Sequence, residues 1–518
     1  MFWQTPKSIQ YAQIFLVVGP AFILYGYNQA GLSALLELPD VIHYFPQIDT
    51  VNTHGATEAR NSTIEGLINA CLQLGALVGA LSCSLLSDAV GRRRSIFIAG
   101  AFAAVGQILQ CTAFSLAQFT VGRIILGVGV GQLSVIVPVW QSESSSAGKR
   151  GRKVITAGIF ICVGFVLSSW INLGTSKASS LPLQWRLSLA IPVVFSLTIC
   201  IFIFTLPESP RWLVQKCRLE EATDALARLN GRSTDDENVR AEISHINSSL
   251  DTAPKLSLRE LIRTGDQNRY LYRFALCIAI QTLQQLVGGN LISIYTTKIF
   301  QENLHLTGDI PAIVAASSLT FKFFCSFISF AAVDRLGRRV ILVVSGTGMS
   351  ICMIAMAVST SFPASDHAAS ITAAVFIFLF NFFYPIGFLG GNFLYCTEIA
   401  PVHLRAAMSS ISTANHWLWN FIITMITPTA LDTIGWRYYI VFAATCACVP
   451  LVVLPFFPET MNRNLELIDG VFKEARTIWD IVPMARRLPK GDVWTSVSYE
   501  DEKKNEYEVA SAEQKEFA

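Results

Sequence analysis

Twelve apolar stretches of about 20 residues or more run along this chain, each long enough as a helix to cross the roughly 30 Å hydrocarbon core of a bilayer. The first six lie near 12–36, 64–86, 95–116, 118–141, 154–174 and 185–206. The second six lie near 271–298, 311–333, 339–361, 369–397, 406–430 and 436–457. Charge is sorted accordingly. Residues 207–269 and 459–518 hold 21 and 22 charged side chains, leaving 33 for the other 395 residues. Only 15% of the chain is charged, against about a quarter in soluble proteins. An all-α membrane protein is expected: a six-helix half (1–206), a polar linker (207–269), a second six-helix half (270–457) and a tail (458–518).

Basic residues orient the expected bundle. With the N-terminus in the cytoplasm, the short inner loops carry eleven Lys/Arg and the outer loops five, which puts both termini inside. The first outer loop then holds the sequon Asn61-Ser62-Thr63, a candidate glycosylation site. In the linker, Leu213, Leu219, Ala222, Leu226 and Leu229 recur at helical spacing, predicting amphipathic helices against the cytoplasmic face. The last 40 residues are expected to be disordered. Eleven of the twelve cysteines fall in apolar runs and read as small core residues. A net charge of +2 without a long basic run excludes a nucleic-acid partner. No Ser/His/Asp set, metal-ligand cluster or nucleotide loop has suitable spacing, so neither an enzyme nor a cofactor is expected.

An internal repeat ties the halves together. Asp88-Ala-Val-Gly-Arg92-Arg93 after the second stretch returns as Asp334-Arg-Leu-Gly-Arg338-Arg339 after the eighth. Glu143 and Arg150 return as Glu398 and Arg405, and Pro207-Glu208-Ser209 returns as Pro458-Glu459-Thr460. Three pairs in the same order indicate a duplicated half. In the seventh stretch Gln281, Gln284 and Gln285 lie at i, i+3 and i+4, giving one helix face of amides that can donate to and accept from hydroxyls. Asn290 is about half a turn out of phase with Gln281 on a straight helix. Gly288-Gly289 between them would let the helix break and re-aim it.

With these motifs, with Gly122-Arg123 and Gly127, Gly129 and Gly131, with Pro138-Val-Trp-Gln-Ser-Glu143 and with Pro207-Glu-Ser-Pro-Arg211-Trp-Leu213, the chain resembles the sugar porters of the major facilitator superfamily, most of all fungal-type members. The resemblance implies a monomeric transporter of the plasma membrane that moves a small solute by alternating access. It assigns Gln281, Gln284, Gln285, Asn290, Trp417 and Asn420 to substrate hydroxyls and rings, and Tyr295 to an outer gate. Asp88, Arg92, Arg123, Glu143, Arg150, Glu208, Arg211, Asp334, Arg338, Glu398, Arg405 and Glu459 would form the inner gate and conformational switch.

Several positions depart from the family pattern. Asn28 stands where proton-coupled members carry an aspartate beside Arg123, and asparagine does not titrate near neutral pH. Coupling by that route is therefore not expected. Lys322 sits mid-span where a neutral polar residue is usual. Phe393 replaces a tryptophan, Gly158 a glutamine and His416 an asparagine, and Asn28, Lys322, Phe393 and His416 join the expected substrate-binding residues, with Phe393 and Trp417 as the apolar surface. A sugar or similar polyhydroxylated solute is the leading expectation. An organic acid bound through Lys322 or Arg123 is the alternative, and a sugar sensor that does not transport is a third.

Overall fold

The computed structural model describes residues 5–36, 38–50, 52–144, 150–178, 180–251, 269–303, 308–363, 366–401, 404–461 and 465–487. Every span is helical, because in hydrocarbon a helix is the one open-chain form that satisfies its own backbone hydrogen bonds. The first half comprises α1 (Pro6–Ala30), α2 (Ala56–Val90), α3 (Arg92–Cys111), α4 (Leu116–Glu143), α5 (Arg150–Thr175) and α6 (Pro182–Thr205). The second comprises α7 (Tyr270–Leu286 with Gly289–Ile294), α8 (Ile310–Leu336), α9 (Arg338–Ser359), α10 (His367–Gly387 with Gly391–Ile399), α11 (Arg405–Ile434) and α12 (Arg437–Phe456).

Ten of these are long and apolar enough to cross a membrane by composition alone. The other two are a broken helix and one whose inward face is polar. α7 stops at Leu286 and restarts at Gly289, and α11 carries Ser409, Ser410, Ser412, Thr413, His416 and Asn420, all buried. The outward faces are apolar, as at Leu85, Ile201, Phe324, Ile371 and Leu451, each more than 60% exposed.

The break expected in α7 is present, with Gly288 at φ +82°, a conformation that a side chain would strain. α10 has a second break that the sequence reading did not anticipate, at Gly390, φ +87°. Within the first half, helices pack backbone to backbone through small residues. A Cβ on Gly131 of α4 would collide with the Ala76 carbonyl of α2, and one on Gly26 of α1 with the Ile161 carbonyl of α5. The halves meet along two seams. Ser410 of α11 donates to the Ala80 carbonyl of α2, and Trp170 Nε1 of α5 donates to Thr320 Oγ1 of α8 at 3.0 Å.

Among the described residues the linker supplies three helices, Pro210–Gln215, Leu219–Asn230 and Glu237–Asp251, packed around Trp212, Leu213, Ala222, Leu226, Val239 and Ile243. Of the last 40 residues, expected to be disordered, 479–487 are instead helical, and the part of the tail before them is helical too. Leu465–Glu474 and Ile478–Arg487 are helices. They dock through Arg273–Asp469 at 2.5 Å, through Trp479 against Phe456 with ring centroids 5.4 Å apart, and through buried Ile481, Val482 and Ala485. These apolar residues at helical spacing explain the order. The expectation for 488–518 lies outside the described residues. Asn61 is also not on an open loop. It lies in the second turn of α2, 6% exposed, with Nδ2 donating to the Asp49 carbonyl at 2.7 Å, which leaves no room for a glycan.

Gly131→Val is expected to force α2 from α4 and lower stability by about 1–3 kcal/mol. Gly174→Ala, where an added Cβ meets nothing within 4 Å, should be silent. Melting curves of the two variants in detergent check both.

Candidate functional site

The two helix breaks lie on α7 and α10, and the amides gather beside them. Gln281 Oε1 accepts from Asn392 Nδ2 at 2.7 Å, joining α7 to the second segment of α10. Gln284 Nε2 donates to the Tyr384 hydroxyl at 2.7 Å, joining α7 to the first segment. Asn290 Nδ2 donates to Gln285 Oε1 across the α7 break, so the break does re-aim Asn290 toward the glutamine face. Gln29 Nε2 of α1 donates to Asn290 Oδ1 at 3.0 Å, crossing between halves.

His416 holds the middle. Its Nε2 lies 2.9 Å from Gln285 Nε2 and 3.0 Å from the Tyr25 hydroxyl of α1. Trp417 is fully buried, with Nε1 donating to Ser134 Oγ of α4 at 3.2 Å and its ring 5.0 Å from that of Tyr25. Phe393 packs 5.8 Å from the His416 ring. Asn420 Oδ1 accepts from Thr424 Oγ1 at 3.2 Å, and the Tyr295 hydroxyl donates to the Thr424 carbonyl at 2.8 Å. Among the described residues, Gln284 Oε1, Asn392 Oδ1, Asn420 Nδ2 and both amide atoms of Asn381 are buried without a hydrogen-bond partner. Buried polar atoms are rarely left so.

Asn28 does not join this cluster, since its Nδ2 donates back to Leu24 of its own helix at 2.8 Å. Its neighbour Gln29 does. Arg123 is buried and donates to the carbonyls of Asn28 at 3.4 Å and Asn69 at 3.1 Å. Gly158 packs against the backbone at Leu389, next to the α10 break. Tyr25, Gln29, Tyr384 and Asn392 were missed by the sequence reading. Only their polarity within apolar runs could have flagged them. On the face away from the linker, a cavity of ≈ 230 Å³ is lined by Ala30, Asn172, Ser293, Ile294, Thr297 and Leu319, among others.

The repeated loops form two matching clusters on the linker side. Arg92 bonds Glu143 at 3.0 Å and Asp88 at 2.9 Å, and Arg338 bonds Glu398 at 2.9 Å. The Glu208 carboxylate accepts from the Arg93 amide, and Glu459 from those of Arg338 and Arg339. Burial pushes the Glu208 carboxyl above the usual carboxylate range, with backbone amides opposing the shift. Each cluster thus staples the loop after one span to the end of a second and to the segment after a third. Gly91 and Gly337, at φ +97° and +90°, permit this, because a Cβ at Gly337 would stand 2.7 Å from Glu459 Oε2. Arg211 is half-buried and Arg405 buried. The side chains of Arg150 and Asp334 lie outside the described residues.

A family model described as "Sugar (and other) transporter" matches residues 13–472. Sugar transporter STL1 of Saccharomyces cerevisiae is 30% identical over 477 residues, 91% of this chain and 82% of that protein. MFS-type transporter oryC of Aspergillus oryzae is 31% identical, covering 87% and 83%. The high-affinity fructose transporter ght6 of Schizosaccharomyces pombe is 30% identical, covering 90% and 89%. Among solved structures, the major facilitator proton:xylose symporter XylE bound to 6-bromo-6-deoxy-D-glucose superposes with a TM-score of 0.77 at 22% identity, over 89% of this chain and 98% of that one. That likeness speaks for the fold.

Glu398→Gln, which removes the buried carboxylate that Arg338 bonds at 2.9 Å, is expected to destabilise by about 1–3 kcal/mol. Asp88→Asn, at a carboxylate 48% exposed, should cost under about 1 kcal/mol. Thermal unfolding of both in the same detergent measures the contrast.

Proposed function

The chain belongs to the sugar transporter family of the major facilitator superfamily, and from that premise we propose that it carries a sugar or similar polyhydroxylated solute across a membrane by rocking its two halves about the amide cluster. The observation that carries the reading is the set of orphan amide atoms, Gln284 Oε1, Asn392 Oδ1 and Asn420 Nδ2, buried beside two helix breaks. Amides both donate and accept, as a hydroxyl does, so a polyol can pair with every group in such a cluster. Trp417, Tyr25 and Phe393 supply apolar faces for the less polar side of a sugar ring. Gln285 bonds His416 and Asn290, and Gln281 bonds Asn392, and binding exchanges those bonds for bonds to hydroxyls.

Breakage of His416–Tyr25 and Asn290–Gln29 would free contacts that join the halves at this level, so solute entry and rocking are linked. The loop clusters around Arg92 and Arg338 hold each half's linker-side ends together and act as the switch. The linker side is assigned to the cytoplasm by its excess of basic residues, and the plasma membrane is the proposed address of a monomer. Transport runs down the solute gradient, because Asn28 cannot carry a proton and Arg123 is already engaged by carbonyls.

The test is uptake by purified protein in liposomes. Labelled hexoses, pentoses and polyols should enter at rates unchanged by a protonophore at fixed external pH, whereas inhibition would restore proton coupling and absence of any uptake would favour a sensor. Gln285→Ala, which removes bonds to His416 and Asn290, should weaken solute binding about tenfold, read by quenching of tryptophan fluorescence.

A further inference from the structure

If the amide cluster is the solute site, hydroxyl binding accounts for its polar groups with one exception. Lys322 is fully buried in the middle of α8. Its ammonium donates to Ser293 Oγ of α7 at 2.6 Å and lies 4.5 Å over the Tyr384 ring of α10 and 4.8 Å over the Phe165 ring of α5. Three helices face it, and none brings a negative charge. Among the described residues no carboxylate pairs with it. A hydroxyl and two ring faces offset part of the cost of a cation at mid-membrane, which amounts to several kcal/mol. Arg123 shows the contrast, since the carbonyl oxygens of Asn28 and Asn69 face its charge directly.

Place matters as much as charge. The Tyr384 ring beneath the ammonium carries the hydroxyl that receives Gln284, so the cation and the amide face are separated by one ring. Ser293 and Leu319, the latter one turn along α8 from Lys322, line the ≈ 230 Å³ cavity on the face away from the linker. The cavity thus reaches the hydroxyl that holds the cation, and one ring separates the cation from the amide face.

We propose that the solute is a polyhydroxylated carboxylic acid. Its hydroxyls pair with Gln284, Asn290 and the other amides, and its carboxylate takes the place of Ser293 Oγ as the partner of Lys322. This rests on the amide cluster being the solute site, and deepens it by naming the group that completes the charge.

The experiment uses matched pairs with the purified full chain in liposomes: gluconate against sorbitol and glucuronate against glucose, at neutral pH, by uptake and by tryptophan quenching. The wild type should bind each acid at least about tenfold more tightly than its neutral match, the increment of one charge-assisted bond. Lys322→Gln should abolish that preference, bringing each acid to within about twofold of its neutral match, with an unchanged melting curve reporting an intact fold, and Lys322→Arg should retain it. Wild-type uptake of the neutral members with exclusion of the acids overturns the proposal alone, as does a preference that survives Lys322→Gln. Wild type that takes up neither member of either pair overturns the solute-site reading and this proposal with it.

Discussion

A backbone amide or carbonyl without a partner in hydrocarbon costs several kcal/mol, and the rest of this structure is arranged around that cost. Ten spans meet it with unbroken or nearly unbroken helices. The two that break at a glycine of positive φ, α7 at Gly288 and α10 at Gly390, do so where both are enclosed by protein and where amide side chains crowd in. Lipid-exposed backbone could not be broken in this way. The enclosure forces the breaks and the polar side chains into the same small volume, and a site results.

The halves share a loop grammar but divide the work. Arg92 with Glu143 and Arg338 with Glu398 repeat one staple twice. Between the staples, however, the first half is held by direct backbone contact at Gly26, Gly75, Gly127 and Gly131. Most of the hydrogen-bonding groups of the cluster come from α7, α10 and α11. The first half contributes Tyr25, Gln29 and Ser134, each bonded to a residue of the other half. A stiff half offers a few fixed contacts to a partner that carries the adaptable chemistry.

What the sequence made legible followed from local spacing. Hydropathy located the spans, the repeated Asp-Gly-Arg turns located the duplication, and Gln281, Gln284 and Gln285 at i, i+3 and i+4 announced a polar face. Gly288-Gly289 announced a break because two adjacent glycines in an apolar helix are costly unless used. Gly390-Gly391 carries the same signal, but no out-of-phase residue drew attention to it. The pairings of Gln281 with Asn392 and Gln285 with His416 join residues more than a hundred positions apart, so spacing could not reveal them. Asn61 failed for a related reason: its triplet is local, but its burial depends on the Asp49 loop folding over the start of α2.

Ser293 Oγ receives the Lys322 ammonium and in turn donates to the Gly289 carbonyl, the first residue after the α7 break. A fixed positive charge is thus wired to the joint that must bend. In a membrane that sustains a voltage, a charge whose access alternates between the two faces experiences about 2.3 kcal/mol per 100 mV of the field it traverses. Were Lys322 such a charge, the side chain proposed to complete the solute site would also be the one on which a membrane voltage acts.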